Sequence, residues 1–111
     1  MKNKVIDKPW GYEELLELND KYCVKKLFMK KGHRCSLQYH NKKTETIFVL
    51  EGILNIQLEK NVVSLKSGES LTIKTGTVHR MSAVETDALY LESSTPELED
   101  VIRVEDDFGR S

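Results

Sequence analysis

No apolar run in the chain reaches the ~18 residues that a membrane-spanning helix needs. No apolar stretch of signal-peptide length follows the lysines of MKNKVIDKPWGYEELL, so no secretory signal is read there and a cytoplasmic location is expected. Cysteine is scarce, with only Cys23 and Cys35 present. In a reducing compartment two such thiols are expected to stay free and pack as small hydrophobes. Neither charge sign dominates: 17 Lys and Arg stand against 18 Asp and Glu, for a net charge of −1. That balance excludes bulk attraction to nucleic acid or to an anionic membrane, and no basic stripe or helix-turn-helix pattern appears. Long 3.6-residue apolar periods are missing too, as are repeats, linkers and low-complexity tracts.

What is present is short, regular and strand-like. A chain of 111 residues has the size of one domain, residues 1–111, and can bury a core without a disulfide or structural metal. Its 39% apolar and 32% charged content argues against disorder. Turn signals recur at Asn19-Asp20-Lys21, Lys30-Lys31-Gly32-His33, Asn41-Lys42-Lys43, Glu51-Gly52, Ser67-Gly68 and Thr75-Gly76-Thr77. Between them lie runs of Val, Ile, Leu, Tyr, Phe and Thr, the pattern of an all-β antiparallel sandwich or barrel. Residues 13–18 stay open between a helical turn and a strand. In Ile53-Leu54-Asn55-Ile56-Gln57-Leu58-Glu59 the apolar residues alternate, as in a half-buried strand. Residues 22–30 are apolar on both faces, with Tyr22, Val24 and Phe28 on one and Cys23, Leu27 and Met29 on the other. A strand of that kind needs cover on both sides, and a homodimer interface is expected on the outer one.

The three histidines are His33, His40 and His79. Gln38 and His40 are two residues apart and share a strand face. Glu45 opens the next strand after a polar turn, where an antiparallel neighbour brings it beside His40. His79 follows the Gly76 turn. Two imidazoles, a carboxylate and an amide oxygen suit a divalent metal with a position left for water or substrate. Taken singly, each is an ordinary strand-end polar residue. Their joint spacing is harder to obtain by accident: Gly32-x5-Gln38-x-His40-x4-Glu45-x6-Gly52, then fifteen residues, then Gly68-x10-His79.

This spacing resembles the paired motifs of the cupin superfamily, with Gln38 in place of the first His, Lys74-Thr75-Gly76 in place of Pro-x-Gly, and Ala83 where an Asn is usual. Lys8-Pro9-Trp10-Gly11-Tyr12, Ser36-Leu37-Gln38-Tyr39-His40, Gly76-Thr77-Val78-His79-Arg80 and the tail Asp106-Asp107-Phe108-Gly109-Arg110 narrow the resemblance. They are similar to type II phosphomannose isomerases, and to the C-terminal cupin domain of bifunctional mannose-1-phosphate guanylyltransferase/mannose-6-phosphate isomerases. That family also uses Gln-x-His. The resemblance runs from about Lys8 to Arg110 and implies a small antiparallel β-barrel or jelly roll. It implies a divalent metal on Gln38, His40, Glu45 and His79, zinc first, with manganese, iron or nickel as alternatives. It also implies interconversion of an aldose and a ketose sugar phosphate, with a sugar phosphate or nucleotide sugar as the small-molecule partner. No nucleotidyl-transferase motif is seen, so the chain reads as a free-standing cupin. The rival readings are a non-catalytic sugar-binding or sensing cupin and a cupin enzyme of another reaction class.

An isomerase needs a proton carrier, and Glu92 and Lys26 are the candidates. Glu92 follows Ala88 and Tyr90 at even spacing. A phosphate needs cations, drawn from Lys25, Lys26, Arg34, Arg80, Arg103 and Arg110. Strand parity lets only one of Lys25 and Lys26 face inward, and turns Arg80 away from the face that His79 uses. Arg34 near the barrel mouth is the first choice for the phosphate, with Arg80 beside it. Trp10 is read first as packing the N-terminal segment and second as a sugar-stacking ring. His33 is read as a turn residue.

Overall fold

A computed structural model describes residues 3–110. Eleven antiparallel strands form two sheets joined by one long strand, β6 (Glu45–Leu58). In the first sheet, β1 (Lys4–Lys8), β2 (Gly11–Leu18), β3 (Cys23–Met29) and β10 (Ala88–Ser94) lie side by side. The first half of β6 pairs with β10 on one edge and with β8 (Ser70–Ile73) on the other. Its second half belongs to the other sheet, between β7 (Asn61–Lys66) and β9 (His79–Ala83). Beyond β9 come β4 (His33–Arg34) and β5 (Leu37–Tyr39), and β5 pairs with β11 (Ile102–Glu105). The all-β barrel expected from the sequence is thus present, and residues 13–18 resolve as strand within β2.

Two residues let β6 serve both sheets. Glu51-Gly52 reads as a turn in the sequence but lies inside the strand, where it bends. Gly52 has φ of +81°, and a Cβ there would meet the Asp87 carbonyl oxygen at 2.0 Å. Only glycine fits both conditions. The register of β10 against β6 shifts between Leu89 and Tyr90, opposite the bend. A bulge of this kind curls a sheet and re-aims its side chains.

The core fills the space between the sheets with Leu27, Met29, Ile47, Val49, Leu54, Ile56, Ile73, Met81 and Tyr90. Leu54 and Ile56 are buried as their alternation implies, but Asn55 on the other face is buried as well. It accepts from the Ser64 hydroxyl and donates to Glu85 at 2.9 Å, so its polar atoms are satisfied. On β3, Cys23, Leu27 and Met29 face the core, while Phe28 faces outward and stacks on Tyr12 at 5.5 Å. Cys23 and Cys35 are free thiols. Among the described residues no helix is long and apolar enough to cross a membrane.

Candidate metal centre and adjoining pocket

Three strands converge at one end of the barrel and bring their polar ends together. Gln38 lies on β5, His40 just after it, Glu45 at the start of β6 and His79 at the start of β9. His40, Glu45 and His79 are each no more than 2% exposed. Oε1 of Glu45 lies 3.4 Å from Nε2 of His40 and 3.0 Å from Nε2 of His79. One ligand atom from each of the three residues falls within a 4.8 Å span. Gln38 lies across from His79 in the strand register and accepts the Ser36 hydroxyl at 2.7 Å.

The outer nitrogens fix what the inner ones can do. Nδ1 of His40 contacts the Asp100 carbonyl, and Nδ1 of His79 contacts the Thr77 carbonyl at 2.9 Å. A carbonyl only accepts, so both Nδ1 atoms must carry the proton. In a neutral ring the Nε2 lone pair then points inward, toward a carboxylate oxygen that is also an acceptor. Nε2 of His79 has no hydrogen-bond partner in spite of its burial, and Oε2 of Glu45 has only the Lys43 ammonium beside it, at 3.5 Å. Such a cluster of facing acceptors calls for a cation between them. Imidazoles oriented through Nδ1–H by backbone carbonyls are the usual setting for a metal on Nε2. The donor set therefore fits a divalent ion of the zinc, manganese, iron or nickel class, held by His40, Glu45 and His79 with Gln38 beside them.

A second carboxylate, Glu92, points inward from β10 and is 7% exposed. The Lys43 ammonium sits between the two acids, 3.5 Å from Glu45 and 3.7 Å from Glu92. Burial and then the neighbouring charge of Glu45 push Glu92 up to about 8. Burial pulls Glu45 the same way, but the neighbouring His40, His79 and Glu92, with Lys43 nearby, hold it well below the usual carboxylate range. The arrangement keeps Glu45 ionised and gives the proton to Glu92. Burial disfavours the Lys43 charge, yet the two acids outweigh it and raise its pKa.

Of these groups, Lys43 and Glu92 open onto a cavity of about 160 Å³ beside the His40–Glu45–His79 cluster. Gln38, Lys43, Glu92 and Tyr90 line it together with Lys8, Trp10, Glu13, Lys25, Leu98, Arg103 and Arg110. Lys25 is the inward member of its pair and meets Glu13 at 3.3 Å. Lys26 is on the outer face, paired with Glu14 at 3.3 Å, so the structure does not bring it to the pocket. Arg34 and Arg80 also lie elsewhere. Arg34 holds Asp107 through two bonds of 2.7 and 2.8 Å, in a groove with His33 and Val84. Arg80 faces away from His79, as parity requires, and donates to the carbonyls of Cys35 at 2.9 Å and Glu105 at 3.2 Å. Both arginines brace the C-terminal segment. The pocket arginines are instead Arg103, opposite Gln38 in the register, and Arg110, held by Asp106 at 2.9 and 3.0 Å. Trp10 is 5% exposed, which supports its packing role while its edge borders the cavity. Sequence reasoning missed Lys43. It lies in the polar turn before β6, where strand parity gives no aim, so its inward direction left no signal in the sequence.

Two antiparallel sheets sharing a bent strand, with histidines and a carboxylate gathered between them, give the chain a cupin fold. Solved structures share the fold: KdgF from Halomonas sp. overlays it with TM-score 0.79 at 18% identity, covering 87% of this chain and 91% of that one. An RmlC-like cupin from Shewanella frigidimarina gives 0.79 at 19% identity, covering 89% and 88%. Residues 1–106 match the family described as mannose-6-phosphate isomerase C-terminal, and the chain belongs to that family. Among curated relatives, the alginate biosynthesis protein AlgA of Pseudomonas syringae pv. tomato is 30% identical over 96% of this chain and 23% of its own length. A mannose-1-phosphate guanylyltransferase of Escherichia coli K12 is 28% identical over 97% of this chain and 23% of its own. The chain thus spans 23% of the length of these relatives.

Proposed function

We propose that this barrel, residues 1–111 as one unit, is a metal-dependent isomerase interconverting an aldose 6-phosphate and a ketose 6-phosphate, with mannose and fructose 6-phosphate as the pair to test first. The observation that carries the reading is the buried His40–Glu45–His79 cluster, joined through the Lys43 ammonium to a protonated carboxyl, Glu92, that lines the adjoining cavity. A metal held by those three residues and Gln38 would supply Lewis-acid polarisation of the sugar oxygens. The remaining work falls to the chain's own side chains. Glu92, with a pKa of about 8, is present in both forms near neutral pH. That suits a group that takes a proton from C2 and returns it to C1. The ammonium of Lys43 stabilises the ionised form of Glu92 during that exchange. Arg103, Arg110 and Lys25 gather positive charge at the cavity for the phosphate. Trp10, Leu98 and Tyr90 keep water away from the reacting carbons.

The outer face of the first sheet supports the expected homodimer. Tyr12, Phe28 and Leu89 share one row of the register, and Leu91 and Phe48 share another. A solution mass of one chain at micromolar concentration overturns the dimer. Location in the cytoplasm is proposed on the same footing as the sugar-phosphate substrate.

The test of function is metal content by mass spectrometry on untagged protein, followed by a mannose 6-phosphate to fructose 6-phosphate assay. Near-stoichiometric metal with turnover, both lost in His40→Ala, is the expected result. Unchanged metal stoichiometry in His40→Ala overturns the site. Metal without turnover on hexose 6-phosphates favours a sugar-binding cupin or another reaction class.

A further inference from the structure

The turn between the two ligands His40 and Glu45 has no secondary structure of its own, and its backbone donors all go to one place. The Asn41 N–H donates to Oδ1 of Asp100 at 3.0 Å, and the Lys42 and Lys43 N–H groups donate to Oδ2 at 2.6 and 2.9 Å. The Thr44 N–H donates to the Thr95 hydroxyl at 3.1 Å. The Asp100 carbonyl accepts Nδ1–H of His40. On the other side the carbonyls of His40, Lys42 and Lys43 go to Gly76 and Thr75. Residues 95–100 therefore hold every N–H of the turn, and Asp100 alone touches four consecutive residues, 40 to 43.

We propose that Asp100 is the positioning residue of the metal centre, its carboxylate pinning the 41–43 turn so that its own carbonyl holds His40 in the Nδ1–H tautomer. The consequence reaches both sides of the site. The same clamp sets the direction of the His40 Nε2 lone pair and the place from which Lys43 reaches Glu45 and Glu92. A carboxylate is required because three donors must share two acceptor oxygens. An asparagine has one acceptor oxygen, and its amide would face at least one of the turn's N–H groups. The inference rests on the metal reading above in its second readout only.

The test compares wild type with Asp100→Asn, using Glu99→Ala, an exposed neighbour, as control. The first readout is 15N NMR of the His40 ring in the metal-free protein, above the pH range where imidazole is charged. The expected spectrum is Nδ1-protonated in wild type and Glu99→Ala, and a tautomer mixture in Asp100→Asn. The second readout is Zn2+ affinity by competition with a chromophoric chelator, on samples shown folded by circular dichroism. A loss of about 10–100-fold in Asp100→Asn is expected. An unchanged tautomer, or affinity within about twofold of wild type, overturns the proposal. Should Asp100→Asn fail to fold, the wild-type spectrum decides alone, since a His40 ring protonated at Nε2 overturns the clamp. A wild-type protein that takes up no Zn2+ sinks the metal reading and leaves the tautomer to judge Asp100.

Discussion

Replacing Lys43 with methionine should be among the more damaging conservative changes available to this chain. Its ammonium is buried, with 4% of the side chain exposed, and lies within 4 Å of two carboxylates, at 3.5 and 3.7 Å. Breaking a buried ion pair from one side costs about 3–5 kcal/mol, because the remaining charge stays buried without compensation. Here the lower end applies, since Glu92 is already held protonated up to about pH 8 and only Glu45 is left exposed to the loss. A domain of this size has about 5–15 kcal/mol of stability in all. At about 4 °C per kcal/mol, a loss near 3 kcal/mol lowers Tm by roughly 10–15 °C. The assay is thermal and urea unfolding of metal-free protein at pH 7, with Lys42→Met, on the exposed side of the same turn, as the control. Lys42→Met should stay within about 0.5 kcal/mol of wild type. If Lys43→Met loses less than about 1 kcal/mol, the ammonium is not the counter-charge of the buried acids. The division of labour between Glu45 and Glu92 then has to be explained otherwise.

Other outcomes follow from the same geometry. Glu92→Gln should lower kcat for hexose 6-phosphate isomerisation by about 10²–10⁴-fold with metal content unchanged, and full turnover in that variant removes Glu92 from the chemistry. Asp106, held by the Arg110 guanidinium, has its pKa lowered from 3.8 to about 2. A depressed carboxyl contributes stability above its unfolded value and loses it as pH falls, so the contribution disappears between about pH 4 and pH 2. The urea midpoint of wild type should drop faster across that window than that of Asp106→Asn, and superimposable profiles count against the pair. Gly52→Ala must carry a φ of +81° and a contact at 2.0 Å with the Asp87 carbonyl. The conformation alone costs about 1–3 kcal/mol, so a urea-unfolding loss below about 0.5 kcal/mol would show that β6 does not bend there.

Strand alternation carried most of the fold. It placed the short β segments, the two apolar rows of β3 and the half-buried Leu54–Ile56 row without any tertiary information, because a strand's period of two depends only on the backbone, though not which row of β3 faces the core. It failed at Glu51-Gly52 for a physical reason. A glycine with positive φ ends many hairpin strands, but in β6 it bends a strand that continues, and which of the two happens depends on the Asp87 carbonyl packed against it. Residues 13–18 were ambiguous because Glu13-Glu14-Leu15-Leu16 fits either period. The pairing of β2 with β1 and β3 decided the matter, and pairing is not a local property.

The site divides along the same line. Gln38, His40, Glu45 and His79 were legible because each is tied to a strand end by short spacing, and parity then aims it. Parity also turned Arg80 away from His79 and allowed only one of Lys25 and Lys26 inside, and both statements hold in the structure. It could not say which outward face would be covered. The C-terminal segment covers one, giving Arg34 and Arg80 carboxylates and carbonyls to bind away from the cavity. The same segment carries Arg103 and Arg110 to the cavity through β11, a four-residue strand whose partner, β5, has three residues. So short a pairing leaves little pattern in the sequence. The His40–Glu45–His79 cluster is therefore a property of local strand geometry, whereas the arginines of the adjoining cavity are delivered by the tail. Changes in that tail should alter which anion the barrel accepts while leaving its His40–Glu45–His79 cluster in place.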